Sequence, residues 1–122
     1  MSKMITAINS MIASKDKITE VIRSGDIYYF LFDKKHRFSI SQTDEGDYVL
    51  TYYYLDHNIP GIVHLAENQW DNIKAKTITY CSENYKSKEA YESFHELHQI
   101  VAEKVLGIDK VLDDIIGNDI PF

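Results

Sequence analysis

Apolar residues recur at steps of three and four through the first 23 positions, at Met4, Ile5, Ile8, Met11 and Ile12, then Ile18, Val21 and Ile22. That spacing predicts one amphipathic helix, or two divided near Ser14 to Asp16, ended by Ser24-Gly25, where a glycine accepts the left-handed cap conformation. Residues 26 to 33, Asp-Ile-Tyr-Tyr-Phe-Leu-Phe-Asp, are apolar on both alternating faces and read as a strand covered on both sides. Lys34-Lys35 forms a tight connection to a strand near 36 to 42, in which Phe38 and Ile40 alternate with Arg37, Ser39 and Ser41. Thr43-Asp44-Glu45-Gly46 is a turn, and residues 47 to 55 are a third strand with Tyr48, Leu50, Tyr52 and Tyr54 on one face. These three strands follow one another as a meander.

The second half is less regular. Asp56 to Gly61 reads as a loop because Asn58 and Pro60-Gly61 are turn formers. Ile62 to Leu65 reads as a short fourth strand, Glu67 to Ile73 as one or two helical turns around Trp70, and Lys76 to Cys81 as a fifth strand. Ser87 is a candidate N-cap for a helix whose Ala90, Tyr91, Phe94, Leu97, Val101 and Val105 share one side. Gly107 breaks it, and Ile108, Val111, Leu112, Ile115 and Ile116 suggest a second helix closed by Gly117. The fold class is α+β, an antiparallel sheet of about five strands with an N-terminal helix and one or two C-terminal helices. Its element order is compatible with an oligonucleotide-binding (OB) barrel and equally with an open antiparallel sheet packed by helices. Residues 1–117 are read as one domain and 118–122 as a tail.

Composition narrows the class. The chain is 44% apolar and 26% charged over 122 residues, enough for one core. A net charge of −6 argues against a broad basic surface, while nine Tyr, five Phe and one Trp leave room for single-strand binding along a narrow basic track. Cys81 is the only cysteine, which excludes an intrachain disulfide and a cysteine-rich zinc site and fits a reducing cytoplasm. No apolar run reaches the length of a membrane span, so a cytoplasmic protein is expected.

Motifs for catalysis are lacking. His95-Glu96-Leu97-His98 places its histidines three apart where the zinc-protease motif needs four, and Glu92 with His95 makes a single Glu-x-x-His pair where a di-iron bundle needs two. Cys81 carries no local nucleophile signature, and no glycine-rich phosphate loop or nucleophile elbow is present. A non-enzyme without metal or cofactor is expected. For nucleic acid, the candidates are Lys34, Lys35 and Arg37 at a hairpin tip, Tyr52 and Tyr54 on the neighbouring strand, and Trp70 flanked by Lys74 and Lys76. Phosphates need cations and unstacked bases need flat faces; the alternative is a solvated turn beside ordinary sheet aromatics.

The most specific stretch is the end, Asp113-Asp114-Ile115-Ile116-Gly117-Asn118-Asp119-Ile120-Pro121-Phe122. It resembles the acidic tip of bacterial and phage single-stranded DNA-binding (SSB) proteins, in which several Asp precede Ile-Pro-Phe. The resemblance is confined to this tail. It implies that Asp119, Ile120, Pro121 and Phe122 dock replication and repair enzymes. A terminal Phe fills an apolar pocket, its carboxylate meets a cation at the rim, Pro121 lowers the ordering cost, and the Asp residues steer. The alternative is that Ile120 and Phe122 fold back on the protein's own core.

Together these features lead to an SSB-like, phage-type protein that binds single-stranded DNA in replication or recombination and recruits host enzymes through its tail. Homo-oligomers are what the resemblance implies. The rivals are a non-enzymatic inhibitor or adaptor that borrows the tip or blocks a nucleic-acid site with acidic charge, and an acidic dimeric chaperone or immunity protein.

Overall fold

Strand pairing in the computed structural model, which describes residues 2–106 and 108–118, gives an open antiparallel sheet in plain sequence order. Its strands are β1 (Ile18–Ser24), β2 (Ile27–Phe32), β3 (His36–Gln42), β4 (Tyr48–Tyr53) and β5 (Thr77–Cys81), with β1 and β5 at the two edges. The helices are α1 (Lys3–Ala13), α2 (Ile59–Asn68), α3 (Trp70–Ile73), α4 (Lys88–Leu106) and α5 (Ile108–Asn118). The α+β class expected from the sequence is what is found, as an open sheet without the closure of an OB barrel among the described residues. The docking candidates Asp119, Ile120, Pro121 and Phe122 lie outside the described residues.

Both faces of the sheet carry a core, as the doubly apolar β2 requires. Phe30, Phe38, Ile40, Tyr48 and Leu50 point to one side, against Ile5, Ile8 and Met11 of α1 and Ala90, Phe94, Leu97 and Val101 of α4. Tyr29, Leu31 and Tyr53 point to the other, against Ile59 and Ile62 of α2 and Ile73 of α3. Burial of these side chains drives both layers together. The few buried polar groups are paired. Ser82 Oγ accepts the Tyr48 N–H at 2.8 Å and donates to Asp47 Oδ1 at 3.0 Å, and Ser39 Oγ meets the Tyr53 hydroxyl at 2.8 Å. Burial pushes the Tyr53 phenol up despite the Ser39 hydroxyl, which favours the ionised form.

Of the one helix, or two divided near Ser14 to Asp16, expected over residues 3 to 23, only the first part forms, and it stops at Ala13. Ser2 caps its start, its Oγ accepting the Ile5 N–H at 3.1 Å, and after one short turn at Lys15–Lys17 the chain enters β1. The helical spacing of Ile18, Val21 and Ile22 has a physical source in a β-bulge. Thr19 pairs with Leu31 and Ile22 with Tyr29, so Glu20 and Val21 together stand opposite Phe30 alone, and Glu20 takes a left-handed φ of 53°. The extra residue brings Ile18 and Val21 to the same face three apart, imitating a helix.

A second correction lies after β4. Ile62 to Leu65, expected as a strand, belongs to α2, and the helix expected over Glu67 to Ile73 is the end of α2 followed by the separate α3. The Gly61 N–H donates to Asn58 Oδ1 at 2.8 Å, Pro60 sits in the first turn, and buried Ile59 and Ile62 lie three apart. Cap, proline and spacing together outweigh the strand preference of Ile62-Val63.

Candidate functional site

Helix α1 covers only part of its face of the sheet, and a groove of about 540 Å³ remains beside β4 and β5. Its floor is Phe32, Phe38 and Tyr52, its helix wall Met4, Ala7, Ser10 and Met11, and its outer rim Tyr54, Ile78 and Tyr80. The size is that of a small-ligand cleft. Phe38 meets Tyr52 edge-on at 5.0 Å, and Tyr52 meets Tyr54 edge-on at 4.8 Å, so the rings brace one another. His36 Nδ1 lies 3.1 Å from the Tyr52 hydroxyl, and Tyr54 is 58% exposed.

Lysines occupy two connections next to lining residues in the chain. Lys34 and Lys35 form the turn between the lining residues Phe32 and His36 and are exposed, with Asp33 and Lys34 at φ 54° and 57°. Lys76 is exposed just before β5, its carbonyl accepting the Tyr54 N–H at 2.8 Å. Five sequence candidates, Lys34, Lys35, Tyr52, Tyr54 and Lys76, thus lie toward one end of the sheet.

The other three lie elsewhere. Arg37 points to the opposite face, where Nε donates to the His57 carbonyl at 2.7 Å, Nη1 to that of Lys35 at 2.7 Å and Nη2 to that of Asp56 at 3.2 Å. Its fork is engaged in holding two loops. Trp70 and Lys74 flank Ile73, which is buried in the core of that opposite face. Trp70 is 41% exposed, and Lys74 pairs with Asp71 at 3.5 Å.

Sequence reasoning missed the α1 wall, His36 as a lining residue and the rim residues Ile78 and Tyr80. Met4 and Met11 were visible as apolar helix positions, but nothing local marks Ala7 and Ser10, which matter by leaving space.

A second polar cluster occupies the sequence His95-Glu96-Leu97-His98. The Tyr48 hydroxyl bonds His95 Nδ1, and Tyr91 stacks on His95 with ring centres 6.3 Å apart. Burial, then the neighbouring Tyr91, raises the Tyr48 phenol, while burial, then His95, lowers the His98 imidazole. Tyr29, in the opposite core, is pushed up to about 12, chiefly by burial and then by Tyr53 and Glu67. Among the described residues, no three His, Cys, Asp or Glu side chains come together as a metal site needs, and no helix is long and apolar enough to cross a membrane.

No protein-family model, curated protein or solved structure matches the chain.

Proposed function

We propose that this protein is a non-enzymatic binder of single-stranded DNA, taking unpaired bases against Tyr52 and Tyr54 in the groove while Lys34, Lys35 and Lys76 meet the phosphates. Residues Asp119 to Phe122 then recruit replication and repair proteins, as the SSB-like tip implies. The observation that carries the reading is an aromatic groove with the exposed Tyr54 at its rim, whose lining residues are neighboured in the chain by the exposed Lys34, Lys35 and Lys76. Stacking tolerates any base, and a local group of cations attracts phosphate even on an acidic protein.

The test is fluorescence anisotropy of labelled oligo(dT) across a salt series. Binding is expected to weaken with salt. Replacing both Lys34 and Lys35 by Ala lowers the log–log salt slope by about 1.4, the share of two phosphate contacts on a single strand. Tyr54→Ala costs about tenfold or more in affinity. Absence of binding at low salt overturns the reading.

One observation favours a second reading, a protein-docking adaptor. On α5, Val111, Leu112, Ile115 and Ile116 are 48–60% exposed, and this apolar row leads straight into the tail. An adaptor of this kind binds a tip receptor and leaves oligo(dT) alone, so the same titration, repeated with a receptor protein, separates the two.

A further inference from the structure

The two edges of the sheet are built differently. At β1 the bulge at Glu20 and the charges of Glu20 and Arg23 break up the free edge, the usual guard against strand addition. At β5 the sequence Thr77-Ile78-Thr79-Tyr80-Cys81 has no charge, no proline and no bulge, and among the described residues it pairs with β4 alone, in unbroken register. The direction of its free hydrogen-bonding groups follows from one contact. The Tyr54 N–H donates to the Lys76 carbonyl, so Lys76, Ile78 and Tyr80 turn their backbone groups toward β4, and by alternation Thr77, Thr79 and Cys81 turn theirs outward.

We infer that β5 pairs antiparallel with β5 of a second copy of this chain, about a two-fold axis at Thr79, joining two sheets into one. This dimer is independent of nucleic acid. Centring on Thr79 sets Thr77 opposite the partner's Cys81 and Thr79 opposite the partner's Thr79, giving about six interchain hydrogen bonds from three bonded pairs. The register selects a second copy over an arbitrary peptide, because the strand is complementary to itself about Thr79: Lys76 falls opposite the partner's Ser82, and no like charges face each other along the pair. Ile78, 39% exposed at the groove rim, gains the partner's Tyr80 as its cross-strand neighbour. Each groove thereby acquires an aromatic ring from the other copy along its open side.

Sedimentation equilibrium of the full chain tests this, using two variants at Thr79. Thr79→Pro removes an outward donor and the hydroxyl's 3.2 Å bond to Thr51 while sparing the backbone bonds to β4, and it stands where an edge strand tolerates proline. It is expected to keep the far-UV circular dichroism of the parent and to raise the dimer dissociation constant about a hundredfold or more. Thr79→Cys in a Cys81→Ser background is expected to form a covalent dimer on mild oxidation, since directly bonded antiparallel pairs bring Cα atoms to about 5.5 Å, within disulfide reach. Should the proline variant misfold, the cysteine variant decides alone. A protein that stays monomeric at every concentration overturns the inference. So does a dimer that is indifferent to a folded Thr79→Pro or fails to crosslink through position 79.

Discussion

The ring of Tyr48 on β4 lies 5.2 Å from the ring of His98 on α4, and Tyr28 on β2 meets the same imidazole edge-on at 5.3 Å. The helix is thus fixed to the sheet through a histidine held between two tyrosines. Arg23 and Asp26 line the same recess, and His95 lies one turn away. Burial first and His95 second hold the His98 pKa below its ordinary value. The unfolded chain therefore takes up a proton at about pH 6.5, before the folded one does. Stability from this group is complete above that pH and falls as the pH drops toward the lower folded value, with a slope of at most about 1.4 kcal/mol per pH unit. Urea unfolding at about pH 7.5 and about pH 5.5 should show a larger acid loss for the wild type than for His98→Gln, the difference isolating His98 from the other histidines.

Arg37 illustrates how a basic residue at a hairpin tip can serve the fold. Its three hydrogen bonds end on backbone carbonyls of Lys35, Asp56 and His57, tying the β2–β3 turn to the loop before α2. Lysine keeps the charge but cannot reproduce the planar fork. Arg37→Lys is expected to cost about 1–2 kcal/mol in urea unfolding, since bonds from a charged donor exceed neutral ones but these are solvent-exposed. Its oligo(dT) affinity should stay within about twofold, because the charge is kept. A large affinity loss without loss of stability would move Arg37 into the binding site.

The meander of β2, β3 and β4 was legible because Tyr28 to Phe32 is apolar on both faces and the turn at Asp44 to Gly46 is rich in turn formers. Helix α4 was equally plain from Ala90, Phe94, Leu97 and Val101. What local pattern concealed was β1, whose bulge shifts the side-chain phase into helical spacing, and α2, whose Ile62-Val63 imitates a strand until Asn58 is seen as a cap. The groove was half legible. Tyr52 and Tyr54 stand in the sequence, but their neighbours Met4 and Ala7 come from the first helix and Ile78 from the last strand, and only the folded sheet joins them. Nor does charge pattern distinguish Lys34 and Lys35, exposed in the turn between β2 and β3, from Arg37, whose fork is bound to carbonyls on the other face.

The empty space beside α1 supplies the sharpest separation of fold from function. Ala7 is exposed and lines the groove without entering the core, so enlarging it changes the cleft and little else. Ala7→Trp costs about 0.5 kcal/mol in helix propensity, an amount that contact with the apolar groove wall offsets. Thermal unfolding should therefore shift by only a few degrees. The indole, however, takes the place of a stacked base. Oligo(dT) affinity should fall about tenfold or more, in line with the worth of one base on an aromatic ring. If the variant folds and binds oligo(dT) as tightly as the parent, the groove is not where single strands sit. The search would then pass to Trp70 and Lys74, beside the core of the opposite face.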